Sequence, residues 1–231
     1  MLADRLLKLV PSVSLDGVAL PKGVQVLDPL RGENSTEVEG IVHDFHRKYF
    51  SDDRPRKLML GINPGRLGAG STGLCFTDTK RCESDLGIPV NGFRTHEPSS
   101  DFIYRVVRAM GGADAFYSHV YVQAICPLGF TKAGPKGTPV NLNYYDDRAL
   151  QAAITPFVVT WLKKLIITGM RTDNVFCIGT GKNLAYLEAL NNEHRFFERI
   201  TALEHPRFIM QYKAKSVDVY VNKYVDALNG R

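Results

Sequence analysis

Two polar side chains carry most of the chemistry this sequence offers. Asn63 stands in Gly61-Ile62-Asn63-Pro64-Gly65, directly after the apolar run Leu58-Met59-Leu60. Pro64 confines Asn63 to extended backbone angles, and the flanking glycines relieve crowding. An amide held this way at the carboxyl end of a strand is placed to orient a water or a polar substrate. His205 follows a second strand-like run, Ile200 to Glu204, and precedes Pro206. In open α/β sheets ligands bind beyond the carboxyl ends of the strands. These two residues, far apart in sequence, are therefore expected to converge at one edge.

The loop that begins at Gly61 holds five glycines, with Gly65, Gly68, Gly70 and Gly73. Glycines let the backbone approach a ligand and turn its N–H groups inward. Two nucleotide-binding patterns fail here. A P-loop needs G-x-x-x-x-G-K-[ST], and Ser71 stands where the lysine belongs. The dinucleotide fingerprint G-x-G-x-x-G is broken because Ile62 and Asn63 separate Gly61 from the next glycines.

The elements that must position these residues follow from periodicity. Residues 2–10 read as a short amphipathic helix ended by Pro11, and 11–36 as a surface loop. Ile41, Val42, Phe45 and Tyr49 recur at helical spacing; His43 and His46 share that helix, lack a third metal ligand and are expected on a solvated face. After the glycine loop, Thr79 to Glu97 shows no period and reads as irregular. Ser99 or Ser100 is expected to cap a helix carrying Phe102, Ile103, Val106, Val107 and Met110, stopped by Gly111-Gly112. Val120 to Ile125 is a strand closed by Cys126-Pro127, and Lys132 to Asn143 reads as a Gly/Pro/Lys loop. A helical pattern from Leu150 to Leu165 contains Pro156, which predicts a kink or a restart. A strand at Val175 to Gly179, a helix at Asn183 to Leu190, a strand at Ile200 to Glu204 and a closing helix from Lys215 to Leu228 complete the chain. Strands alternating with helices imply a mainly parallel sheet with helices on both faces. No linker or repeat interrupts the 231 residues, so 1–231 is expected to form one domain.

Composition sets broad bounds. Hydrophobic content is 44%, charged content 23% and the formal charge +5, ordinary for a soluble globule and permissive of a polyanion partner. Cys75, Cys82, Cys126 and Cys177 show no C-x-x-C spacing, so neither a disulfide framework nor a metal is expected. The N-terminal run MLADRLLKLVPS is charged throughout and too short in apolar length for a signal peptide or span. A reducing compartment, cytoplasmic or nuclear, and no membrane association are expected.

The motifs together resemble a known family. Gly61 to Gly65 followed by Thr72-Gly73-Leu74-Cys75-Phe76 resembles the first motif of the single-strand-selective monofunctional uracil-DNA glycosylases, and His205-Pro206-Arg207 resembles their second. Further echoes are Asp28-Pro29-Leu30, Glu97-Pro98-Ser99-Ser100 and Cys126-Pro127-Leu128, so the likeness runs from about residue 25 to 228. It implies a three-layer α/β/α fold around a parallel four-stranded sheet, and hydrolysis of the N-glycosidic bond of uracil in DNA, without a cofactor. On this reading Asn63 orients the water and His205, as a neutral donor, stabilises the departing base. Phe76 stacks on the base, and backbone near Ile62, Gly65 and Phe76 reads its carbonyls. DNA carrying a deaminated base, single- or double-stranded, is the implied partner of a monomeric enzyme. No lysine stands in the first motif, so no Schiff-base intermediate or strand cleavage is expected.

Two departures qualify the likeness. Where the family has an Asn that reads uracil, this chain has Ala124, whose methyl offers no paired contacts. Selectivity then rests on backbone groups, on Gln123 (facing away if strand alternation holds) or on a looser pocket, and xanthine or hypoxanthine become alternative substrates. A module that binds damaged bases without cutting is a third reading, but binding alone needs neither Asn63 nor His205. After Pro206 the family's Ser/Pro/Asn-rich loop is replaced by Arg207-Phe208-Ile209-Met210-Gln211. The segment from Arg207 to Lys215 is expected to be a loop at the pocket mouth. Arg207 with Phe208 or Ile209 would fill the gap left by a flipped base, and Lys213 and Lys215 would hold phosphates.

Overall fold

A computed structural model of the chain describes residues 1–230. The strands are β1 (Gln25–Leu27), β2 (Arg56–Gly61), β3 (Val120–Ala124), β4 (Gly129–Ala133), β5 (Pro139–Leu142), β6 (Met170–Ile178) and β7 (Ile200–Leu203). The helices are α1 (Leu2–Leu9), α2 (Ser35–Tyr49), α3 (Ala69–Thr72), α4 (Thr79–Ser84), α5 (Pro98–Ala109), α6 (Ala113–Tyr117), α7 (Arg148–Ile167), α8 (Lys182–His194), α9 (Pro206–Tyr212) and α10 (Val217–Asn229).

The core is a four-stranded sheet in the order β3-β2-β6-β7. Every neighbouring pair in it is parallel, as the alternation of strands and helices requires. Leu58, Met59 and Leu60 of the inner strand β2 are fully buried, the mark of a strand covered on both faces. Helices pack around it: α1 on α2 and α7, α5 on α9 and α10, and α7 and α8 on β6. Asp147 caps α7 through the N–H groups of Ala149 and Leu150. Helix α7 is long and apolar enough by composition to cross a bilayer; here it buries Leu150, Ile154, Val158, Trp161, Leu162 and Leu165. Pro156 lies inside it, yet the helix runs unbroken from Arg148 to Ile167.

The second sheet departs from expectation. It is antiparallel, in the order β1-β4-β5, and takes its strands from two segments that read as loops. Lys132 to Asn143 is the turn and return strand of a hairpin, with Gly134 N–H bonded to Thr138 O at 2.8 Å. Pro139 is tolerated as the first residue of an outer strand. This hairpin abuts the glycine loop: a Cβ at Gly129 would lie 2.4 Å from Pro64 O.

Three local expectations also change. Thr79 to Ser84 is a helix, capped by Asp78. The cap residue of α5 is Glu97, with Ser99 and Ser100 inside the first turn. His43 is exposed, but His46 is 2% exposed between α2 and β3. Its Nδ1–H donates to Val42 O (2.7 Å), and the Tyr121 hydroxyl donates to its Nε2 (3.1 Å). Burial is the main cause holding this imidazole neutral, down to about 4, against the backbone bond to Val42.

That burial has a consequence for stability. The folded-state value lies below the 6.5 of an unperturbed histidine, so stability present above pH 6.5 is lost as pH falls toward 4. The linked loss is about 3 kcal/mol. Urea titrations at pH 7 and pH 4 are expected to show it in the wild type, and His46→Gln to lack this part of the pH dependence.

Candidate functional site

The carboxyl ends of β2, β6 and β7 open onto one cavity of about 580 Å³, within the usual range for a small-molecule site. Asn63, Phe76, His205 and Arg207 all line it. Residues 142 sequence positions apart, Asn63 and His205, thus meet as the parallel topology requires.

Asn63 is half-buried and anchored at both ends of its amide. Its Nδ2 donates to Leu142 O (3.2 Å), and Tyr144 N–H donates to its Oδ1 (3.1 Å). These two backbone partners fix which end is oxygen. A second, longer bond from Nδ2 to Pro64 O (3.4 Å) uses its other N–H, so the free capacity of the amide is the remaining lone pair of Oδ1, an acceptor for the cavity.

His205 is the cap residue of α9, and Pro206 occupies the first helical position, where its missing N–H costs nothing. The Arg207 N–H donates to His205 Nδ1 at 3.1 Å. A ring nitrogen that accepts carries no proton, so in the neutral imidazole the proton sits on Nε2. Burial first, and the neighbouring Arg207 charge second, push His205 down to about 4. Just before it, the backbone at Glu204 is held by α10: the Tyr224 hydroxyl donates to Glu204 O.

Phe76 sits with φ at 52°, unusual for a residue with a side chain. Its ring lies 5.7 Å from the His205 ring and against Gly61, where a Cβ would meet it at 2.9 Å. Ile62 and Gly65 are half-buried in the same wall.

Ala124 is 3% exposed and is not among the residues that line the cavity; its backbone carbonyl takes the Trp161 indole N–H at 3.3 Å. Gln123 does turn away, its Oε1 bonded to Ala124 N–H and Cys75 Sγ. The segment after Pro206 is a helix rather than a loop, and that separates its side chains. Arg207 and Phe208 reach the cavity mouth, with Phe208 41% exposed and 5.6 Å from the Tyr212 ring. Ile209, one residue on, points into the core at 0% exposure and is unavailable to DNA. Lys213 and Lys215 lie beyond the helix, exposed and outside the cavity wall.

The structure also brings in residues that sequence reasoning missed. Asn183, buried at 2%, accepts from the Tyr144 hydroxyl (2.6 Å) and donates to Ile178 O (3.0 Å) beside the cavity. Its signal was Gly179-Thr180-Gly181, a strand end opening into a helix. Asn141 comes from the unrecognised hairpin. Glu97 stood in a quoted motif, but nothing local marked its side chain as facing the cavity. Among the described residues, no three His, Cys, Asp or Glu side chains cluster as metal ligands.

The tautomer and charge of His205 are directly measurable. Nitrogen-15 chemical shifts of the imidazole are expected to report the Nε2–H form from pH 8 down to pH 5, with a midpoint near 4.

Comparison with known proteins places the chain in a family. Residues 47–229 match the model of the uracil DNA glycosylase superfamily. No curated protein matches the chain. The crystal structure of wild-type Pedobacter heparinus SMUG2 is similar over 99% of this chain and 97% of that one, with a TM-score of 0.95 and 44% identity. On the extent of the family match and the identity to that structure, the chain belongs to the uracil DNA glycosylase superfamily.

Proposed function

We propose that this chain releases uracil from DNA by hydrolysing its N-glycosidic bond. As a member of its superfamily it is a monofunctional DNA glycosylase, a hydrolase of N-glycosyl bonds acting on DNA. The observation that carries the uracil reading is an anchored amide and a neutral Nε2–H imidazole lining one cavity. A base must leave the stack to be cut. The flipped base enters with its face on Phe76. Asn63 holds a water toward C1′ with the remaining lone pair of its Oδ1. As the C1′–N1 bond lengthens, negative charge grows on N1 and O2 of the base. His205 Nε2–H donates to O2, in the manner of an oxyanion hole. Because the donor is already neutral and fixed by its cap bond, little reorganisation accompanies the charge. An amide is a poor base, so positioning and leaving-group stabilisation supply most of the rate.

A second reading, xanthine or hypoxanthine as preferred base, is favoured by one observation: position 124 extends no side chain into the cavity. Single-turnover release of free base from oligonucleotides carrying each deaminated base separates the two. Uracil release is expected, and His205→Ala is expected to lose roughly 10²–10³-fold. Release of xanthine or hypoxanthine without uracil establishes the second reading.

Arg207 and Phe208, exposed at the mouth, are the wedge in this reading, and Lys213 and Lys215 contact phosphates. Unstacking costs a few kcal/mol in a duplex and little in a single strand. Replacing Arg207 and Phe208 together by Ala is expected to slow excision from duplex DNA much more than from single strands. Equal losses on both would remove the wedge.

A further inference from the structure

We propose that Glu97 is the general base that takes the proton of the attacking water. The inference rests on the hydrolytic reading above and assigns the one role in it that Asn63 cannot fill.

The placement is built from the backbone outward. Glu97 N–H donates to Asp78 Oδ2 at 2.9 Å. Asp78 is itself fully buried and caps α4 through Arg81 N–H. The cap position of α5 is therefore fixed, and the carboxyl reaches over the glycine loop. A Cβ at Gly68 would lie 2.1 Å from Glu97 Oε2, and one at Gly65 would lie 3.9 Å from Oε1. Gly65 is two residues beyond Asn63, and both lean on β5: Gly65 faces Asn141 Nδ2, and Asn63 donates to Leu142 O. Carboxyl and amide both line the one cavity, and the proposed step places the water between them, directly or with a second water.

Its bonding separates Glu97 from the other carboxylates of this cavity. Asp146 is bonded to Lys182 (3.1 Å) and Asn143 (2.9 Å), and Glu204 to Lys223 (2.8 Å). Glu97 Oε2 is buried with no hydrogen-bond partner in the protein. A buried acceptor left open is rare, and it leaves the carboxylate poorly stabilised and therefore with the proton affinity that a base needs. The charged groups that act on it are Asp78, which His96 and the Asp101–Arg81 pair approach, and Arg207 from α9. Burial, then Asp78, raise the Glu97 carboxyl to about 7, against Arg207. A base poised near the working pH combines ionisation with proton affinity.

The step balances. The water oxygen bonds C1′, the C1′–N bond breaks with its electron pair on the base, and the water proton passes to Glu97 Oε1, the carboxyl oxygen on the Gly65 side, since Oε2 is sealed against Gly68. The base anion, held by His205, then takes a proton from solvent or from Glu97, which returns to its starting state.

The test is the pH dependence of single-turnover uracil release from single-stranded DNA, with Glu97→Gln beside the wild type and thermal melts of both. The wild-type rate is expected to fall tenfold per unit below pH 7, where Glu97 is protonated. Glu97→Gln is expected to be roughly 10²–10⁴-fold slower at pH 8, to lack the limb near 7, and to keep only the one near 4 that His205 imposes. A rate within a few-fold of wild type, or a slower rate that keeps the limb near 7, overturns the proposal; the latter is the outcome of a merely structural carboxyl. A wild-type profile with no limb near 7 overturns it without any variant. A wild type that releases no uracil at any pH overturns the uracil reading itself.

Discussion

The amide of Asn63 joins the two sheets of the molecule. One end bonds the carbonyl of Leu142 and the other the N–H of Tyr144, so the side chain completes the hydrogen bonding where β5 runs out. The parallel sheet provides its position, and the antiparallel sheet its orientation. An exposed amide would rotate freely and lose rotamer entropy on holding a water; here that cost falls on folding. The close approach of Gly129 to Pro64 O and of Gly65 to Asn141 belongs to the same contact. Whatever shifts the hairpin shifts the amide with it.

His205 follows a parallel logic at the other strand. Its ring caps a helix and presents a donor in one geometry, because the cap bond uses Nδ1 and leaves the proton on Nε2. The amino end of a helix disfavours positive charge, and Arg207 adds to that effect. Both work toward a neutral donor. On the proposed mechanism a cation here would bind an anionic leaving group more strongly, but a proton on Nδ1 would displace the Arg207 N–H that orients the ring.

Much of this was legible in the sequence. Burial of a parallel sheet enforces apolar runs, and those runs marked β2, β3, β6 and β7; the residues at their ends then marked Asn63 and His205. What stayed hidden was decided by tertiary contacts. The hairpin from Gly129 to Leu142 carries Gly, Pro and Lys because it is an outer ribbon, so it lacks the apolar period that identifies a strand. Arg207 to Tyr212 offers too few residues to reveal a helical period, and without the helix Ile209 looked as available as Phe208. Ala124 followed a motif position rather than a physical signal. His46 looked solvated because its partner, Tyr121, is 75 residues away. Glu97 precedes a helix and has no apolar neighbours in sequence; only the vacancy at Gly68 shows where its carboxyl goes.

That vacancy, with the one at Gly61, gives the glycine loop a meaning beyond flexibility. Gly61 leaves room for the Phe76 ring and Gly68 for the Glu97 carboxyl, so each glycine is the mould for a side chain that arrives from elsewhere. The loop is consequently constrained in pairs. A methyl group at Gly68 acts on residue 97, and a methyl group at Gly61 acts on residue 76, although neither glycine has a functional group of its own. During divergence such positions change together with their occupants or stay fixed. The record of the chemistry is therefore written partly in residues that have no side chain at all.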